Sequence, residues 1–313
     1  MSPSEPDFQP FSLCGTRDYA RWRAWKLAAY PDSAAALTVS LEDPAALSAA
    51  EFAAISERCR KANMAIYDCG EHPFGKPVLR RFGRRFGLER LDMNLRADED
   101  SITSLRVMPE ADGTHYIPYT SRSLNWHTDG YYNASDQQVH GIVMHCVQDA
   151  ASGGENRLLD PEIAYLLLRD ADPAYIRALM QPDAMTIPAN IEAGKQIRAM
   201  RSGPVFAVEK RGGSLHMRYT ARTRSIIWKD DRETRMAVGF LTELLSSDSP
   251  WTISHRLRAG QGIICNNVLH SRTAFTDDAD SGRVRLLYRA RYHDRIRGTA
   301  PGNYYEEVQA CCG

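Results

Sequence analysis

Residues 262–275 read GIICNNVLHSRTAF, and residues 282–292 read GRVRLLYRARY. In the second stretch Arg283, Arg285, Leu287, Arg289 and Arg291 alternate with Val284, Leu286, Tyr288, Ala290 and Tyr292. A period of two is the mark of a strand, so the arginines share one face and the apolar residues the other. The apolar face is expected to pack under helices, which turns Arg285 and Arg289 inward, while Arg283 and Arg291 are expected on a solvated face. In the first stretch Gly262 to Cys265 reads as a strand, and His270 is expected to end a buried strand. The polar loop TDDADSG joins the two stretches.

Working outward, Ser48-Ala49-Ala50-Glu51 is a capping-box pattern that opens a helix to about Ala62. Met64 to Asp68 reads as a strand. Val78, Leu79, Phe82 and Phe86 recur at helical spacing, so 76–87 is expected to be an amphipathic helix. Val139 to Val147 (VHGIVMHCV) is β-branched and nearly continuously apolar, as a buried strand is. Ser152-Gly153-Gly154 is a turn. Asp160-Pro161 and Asp172-Pro173 each set a capping residue before a proline, predicting helices to about Arg169 and Met180. Residues 183–228 are strand-like, and 231–245 are helical through Met236, Phe240 and Leu244. Helices lead and interrupt while strands dominate the middle and the end. That order favours one α+β domain over residues 1–313 built on an antiparallel sheet pair. Its expected parts are a helical lead-in (1–60), a core with helical insertions (60–295) and a tail (296–313).

Composition narrows the function classes. Thirty-nine basic residues balance thirty-nine acidic ones, so no global field invites nucleic acid or an anionic membrane. No window approaches a membrane span, and the N-terminus lacks a basic start followed by an apolar run. Seven cysteines form no CxxC pair, as expected of reduced thiols, and the expected location is cytoplasmic.

Within SLNWHTDGYYN (residues 123–133), His127 and Asp129 stand two apart. On a strand both would face one way and could offer a nitrogen and an oxygen to one metal ion, with Trp126 and Thr128 facing the other way. Alone this is weak, because nine histidines give roughly 0.6 such H-x-D matches by chance. His270 changes the reading. Two histidines and one carboxylate on one face of a metal leave positions open, an arrangement suited to non-heme Fe(II), although zinc enzymes also use it.

With these residues in order, the sequence resembles the Fe(II)/2-oxoglutarate-dependent dioxygenases of the taurine dioxygenase type and their clavaminate synthase-like relatives. WHTD at 126–129, SGGEN at 152–156, NNVLHSR at 266–272, and the pair Arg285 and Arg289 carry the resemblance, with Arg285 fifteen residues after His270. The resemblance spans about residues 60–295. It implies a double-stranded β-helix, or jelly roll, with helices outside its larger sheet. It further implies that His127, Asp129 and His270 ligate Fe(II), and that 2-oxoglutarate and O2 occupy the open positions. The products would be succinate, carbon dioxide and an oxidised substrate.

The distal carboxylate of 2-oxoglutarate needs a planar, permanent cation, and Arg285 matches the family arginine with that task. Arg289 matches the second arginine, which implies a small anionic or zwitterionic substrate; the alternative is a structural ion pair. Where the pattern often has a threonine that holds 2-oxoglutarate, this chain has Asn156, whose amide can also donate. Halogenating relatives replace the metal carboxylate with a small residue, so Asp129 argues for oxidation without halide transfer. Asn125, Tyr131 and Tyr132 flank the ligands and are candidates for the substrate pocket, with plain packing as the alternative. His145 and His216 are expected in the core or beside it, and His72, His115, His140, His255 and His293 lack ligand-like context. Rival readings are desaturation or ring closure at the same iron, or a jelly-roll protein that binds without turnover. Family members form dimers and higher oligomers, so a homo-oligomer is compatible with the resemblance.

Overall fold

The structure is a computed structural model that describes residues 8–93, 100–108, 117–192, 194–210, 212–222 and 226–311. His115 lies outside the described residues. Ten strands position the site: β1 (Thr38–Ser40), β2 (Met64–Asp68), β3 (Thr103–Leu105), β4 (Leu124–His127), β5 (Gly141–Gln148), β6 (Asn156–Leu159), β7 (Ile253–His255), β8 (Gln261–Cys265), β9 (Leu269–Arg272) and β10 (Leu286–Tyr292). A six-stranded sheet runs β1-β2-β8-β5-β10-β3, and a four-stranded sheet runs β7-β6-β9-β4. Every pairing in the two is antiparallel except β1 on β2. Shorter ribbons between residues 185 and 228 make up the strand-like middle of the chain.

Helices cover the outer faces: α1 (Thr16–Leu27), α2 (Ala49–Ala62), α3 (Lys76–Arg85), α4 (Pro161–Ala171), α5 (Pro173–Leu179), α6 (Arg232–Ser246) and α7 (Tyr305–Cys311). The expected starts hold. Ser48 and Glu51 complete a capping box at α2, and Asp160 and Asp172 accept from backbone N–H groups at the proline-led starts of α4 and α5. The expected helical lead-in also contains β1, which joins the larger sheet. Within the tail, Val308 is buried and Tyr304 stacks on Trp25 at 4.5 Å between centroids.

Alternation along β5 and β8 explains their unbroken apolar runs. Ile142, Cys146, Ile263 and Cys265 face the space between the sheets, where Leu158 of the smaller sheet and Val268, just before β9, meet them. Val143 and Ile264 face outward under Ile55, Leu79, Phe82 and Phe86 of the first helices. A strand covered on both faces can be apolar at every position. Gly262 is needed for a different reason: a Cβ there would lie 2.2 Å from the Tyr67 ring on the neighbouring strand. The smaller sheet buries Trp126, Leu159 and Leu269 against the later helices, and the Trp126 indole donates to the Leu245 carbonyl at 2.8 Å.

One buried ion cluster ties α1 to the start of α4. Lys26 Nζ lies 2.7 Å from both Asp160 Oδ2 and Glu162 Oε2, with Lys26 and Asp160 wholly inaccessible. Removing one member of such a set strands the opposite charges in a dry interior. Lys26→Met should therefore cost about 3–5 kcal/mol of stability, read by chemical denaturation. An unchanged midpoint would mean that the two carboxyl groups take up protons without cost.

Candidate metal and co-substrate site

His127 closes β4 and His270 sits on β9, directly opposite each other in the antiparallel ladder. Their rings lie 4.2 Å apart between centroids. Each ring turns Nδ1 back to the carbonyl two residues earlier, His127 to Asn125 at 2.8 Å and His270 to Val268 at 2.9 Å. A backbone carbonyl only accepts, so both Nδ1 atoms carry the proton and both Nε2 lone pairs are free. Asp129 lies in the turn just beyond β4, not on the strand as the spacing suggested, yet it still reaches the same point. One ligand atom from each of His127, Asp129 and His270 falls within 4.8 Å of the others. Trp126 and Thr128 do face away, and both are buried.

The charges around Asp129 favour its ionised form. Burial alone would raise its pKa; Arg289 first, with Arg291 behind it, outweighs burial and holds it well below the usual carboxylate range. Arg289 Nη1 stands 3.1 Å from Asp129 Oδ2, but that oxygen makes no hydrogen bond although it is buried. Burial pushes His270 down to about 4, with His127 adding to the effect, so its ring is neutral at physiological pH. Two imidazoles that turn Nε2 toward one point and a buried carboxylate oxygen short of a donor are a donor set that fits a divalent metal ion.

Asn267 fixes the turn that carries Asp129. It sits in the left-handed region at φ +48, between β8 and β9. Its Oδ1 accepts from the Asp129 N–H at 2.8 Å, and its Nδ2 donates to the carbonyls of Asp129 (2.9 Å) and Val139 (2.6 Å). Asn267→Ala leaves three buried backbone groups without partners and puts an alanine where φ is positive. A ten- to hundredfold loss of metal affinity is expected, in the range typical when a partner of a metal ligand is removed. Competition against a chelator measures it, and an unchanged affinity would show that the turn holds itself.

A cavity of about 630 Å3, open at its mouth, lies between the two sheets. His127, Asp129 and His270 line it together with Asn156, Arg272, Arg285 and Arg289, and Leu105, Ile142, Leu158 and Ile263 supply apolar walls. A smaller cavity of about 240 Å3 adjoins it through Asn156 and Arg285. Arg285 is only 6% exposed, and burial pulls its pKa down to about 10. Its backbone N–H donates to Asp277, and its guanidinium lies 4.9 Å from the Phe275 ring centre. Among the described residues no carboxylate pairs with that guanidinium. Gly153 and Gly154 hold the adjoining turn at φ +69 and +77, and a Cβ on Gly153 would meet the Ala274 carbonyl at 2.2 Å.

The other anticipated residues are placed as follows. Asn156 is buried and donates weakly to the His255 carbonyl at 3.4 Å. Asn125 is exposed on β4. Tyr131 and Tyr132 pack on the helical side of the smaller sheet, edge to face with each other, and the Tyr132 hydroxyl accepts from Arg291 at 3.2 Å. None of these three lines the cavity. Arg283 is half exposed and pairs with Asp149 at 2.8 Å. Arg291 differs from expectation: it is 4% exposed and paired with Asp92, because β10 continues inward to the turn that bears Tyr132. His145 stacks on Phe74 at 4.0 Å, and burial takes its pKa down to about 4. His140 has an unforeseen partner, Glu209, 2.8 Å from its Nδ1.

A cavity between two sheets, lined by two histidines, a carboxylate and three arginines, offers the donor set of a metal-dependent enzyme. Residues 26–291 match the model of the taurine catabolism dioxygenase TauD, TfdA family, and the chain belongs to that family of Fe(II)- and 2-oxoglutarate-dependent dioxygenases. It is 28% identical over 216 residues to a uridine-5'-phosphate dioxygenase from a Streptomyces species, covering 62% of this chain and 70% of that one. The crystal structure of a taurine dioxygenase from Burkholderia xenovorans superposes with a TM-score of 0.55 at 18% identity, over 82% of this chain and 88% of that one. An asparagine oxygenase solved with Fe(II), 3-hydroxyasparagine and succinate gives 0.53 at 14% identity, over 88% and 89%. The two structural likenesses concern the fold. No helix among the described residues is long and apolar enough to cross a membrane.

Proposed function

We propose that the chain hydroxylates a C–H bond of a small anionic or zwitterionic metabolite, with His127, Asp129 and His270 as the iron ligands and Arg285 as the seat of the 2-oxoglutarate distal carboxylate. In this reading the two sheets are the halves of a double-stranded β-helix, and residues 1–313 form one oxygenase domain. The observation that carries it is the convergence of the three ligand atoms and an unpaired buried guanidinium on one cavity. When bound, Fe(II) and 2-oxoglutarate supply O2 activation: one oxygen atom goes to succinate as carbon dioxide leaves, and the other enters the C–H bond as a hydroxyl.

The chain's own contribution is positional. The Asn125 and Val268 carbonyls hold the imidazoles in the tautomer that presents Nε2, and Asn267 clamps the turn that presents Asp129. Arg289 Nη1 faces Asp129 while its Nε is unbonded, leaving that edge of the guanidinium for an anionic group on the substrate. The apolar walls exclude water around the reacting carbon. Uridine-5'-phosphate, the substrate in the name of one relative, and the amino acid and sulfonate named with others all carry such a group.

Anaerobic addition of Fe(II) and 2-oxoglutarate should produce a weak visible charge-transfer band. Admitting oxygen should then yield succinate, with faster release when a true substrate is present. Uridine-5'-phosphate, taurine and asparagine make the first screen. No band and no succinate with any of them would remove the oxygenase assignment of this site.

A further inference from the structure

The cavity holds one more buried cation than the proposed reaction has so far employed. Arg272 lies two residues beyond His270 on β9, so its side chain leaves the same face of the strand. It is 5% exposed and lines the main cavity beside Arg285. Both guanidiniums rest near one ring: their central carbons lie 4.8 Å (Arg272) and 4.9 Å (Arg285) from the centre of Phe275. One Arg272 Nη2 donates to the carbonyls of Thr120 and Arg122, and its buried Nε has no partner. Among the described residues no carboxylate pairs with either guanidinium. Asn156, across the ladder from Arg272, spends its amide N–H on the His255 carbonyl, and no acidic side chain of β6 faces the pair.

Two like charges in one dry pocket repel each other, and each has lost its water. Backbone carbonyls and the face of Phe275 offset part of this cost, but carbonyls are neutral. An arrangement of this kind is relieved by an anion that both cations can reach, and a carboxylate has two oxygens and room for paired donors on each.

We propose that Arg272 and Arg285, set against Phe275, form a two-guanidinium seat for the distal carboxylate of 2-oxoglutarate, with Arg272 a binding residue in its own right. The proposal rests on the reading of Arg285 given above. It makes the co-substrate site selective for a dicarboxylate, because a monocarboxylate 2-oxo acid would leave both cations unpaired.

The test uses the metal-free full-length protein and glutarate, which has both carboxylates and no keto group, so that metal chelation plays no part. Isothermal titration gives the dissociation constant for the wild type and for Arg272→Met, Arg272→Lys and Arg285→Met. Arg272→Met should weaken glutarate binding roughly ten- to hundredfold, as expected for a lost charge-assisted hydrogen bond. Arg272→Lys, which keeps the charge and should keep the fold, is expected to recover only part of that loss. Butyrate, with one carboxylate, should bind in the wild type and weaken in the same variants.

If Arg285→Met weakens glutarate and neither Arg272 variant does, Arg272 is a brace for residues 120–122 and the two-cation seat is wrong while the Arg285 reading stands. If no variant changes the affinity, the Arg285 reading fails as well. If Arg272→Met does not fold, Arg272→Lys decides: wild-type affinity in that variant overturns the proposal.

Discussion

Asp129→Ala should lower succinate formation by about a thousandfold or more, well beyond the ten- to hundredfold of a lost ligand partner. The substitution removes the only carboxylate that lines the main cavity among the described residues. It leaves His127 and His270 as a two-nitrogen site, which binds divalent ions far less selectively than a site with an anionic ligand. The fold should survive, because Asn267 holds the turn through the Asp129 backbone and not through its carboxylate. The cost falls on Arg289, whose carboxylate partner disappears. Circular dichroism should therefore be unchanged while iron retained after dialysis drops. Unchanged turnover with unchanged iron content would take Asp129 out of the ligand set.

For Arg285→Ala the expected result is a rise of about a hundredfold in the 2-oxoglutarate concentration needed for half-maximal rate, the scale of a lost bidentate guanidinium–carboxylate pair. The maximal rate should change much less, since Arg285 does not touch the proposed metal ligands. Stability supplies a second readout. In the ligand-free protein Arg285 is a buried charge without a carboxylate partner. Removing a charge of that kind relieves a desolvation cost, so the free variant should melt no lower than the wild type. The wild type should gain the larger stabilisation when 2-oxoglutarate is added. An unaltered 2-oxoglutarate requirement would remove Arg285 from the co-substrate site.

The residues that were legible in the sequence share a property: their surroundings are set by local pattern. The period of two in residues 283–292 turned Arg285 and Arg289 inward, and the capping signals at Ser48, Asp160 and Asp172 fixed helix starts to within a residue. His127 and His270 could be paired only through a resemblance, since nothing in the 142 intervening residues says that β4 and β9 lie side by side. What the pattern could not show depends on partners far along the chain. Arg291 has the same spacing as Arg283, yet one is buried against Asp92 and the other half exposed beside Asp149. In the sequence Arg272 is only the last residue of NNVLHSR, and the fold alone sets Arg285 and Phe275 beside it. Asn267 stood within a quoted motif without its task being visible, because the hydrogen bonds it makes run to residues 129 and 139. A possible sign was available there: paired asparagines between two strands invite a left-handed turn.

The interleaving of early and late strands has a consequence for biosynthesis. In the larger sheet β2 has β8 as its inner neighbour, with Asp68 and Gln261 separated by 193 residues. At roughly 5–20 residues per second, β2 waits on the order of ten to forty seconds for that neighbour. The proposed metal-binding residues are divided in the same way, two before β5 and one after β8. A nascent chain that has not yet released β9 from the ribosome therefore lacks His270, and at the proposed site the loading of iron would report that the sheets have closed.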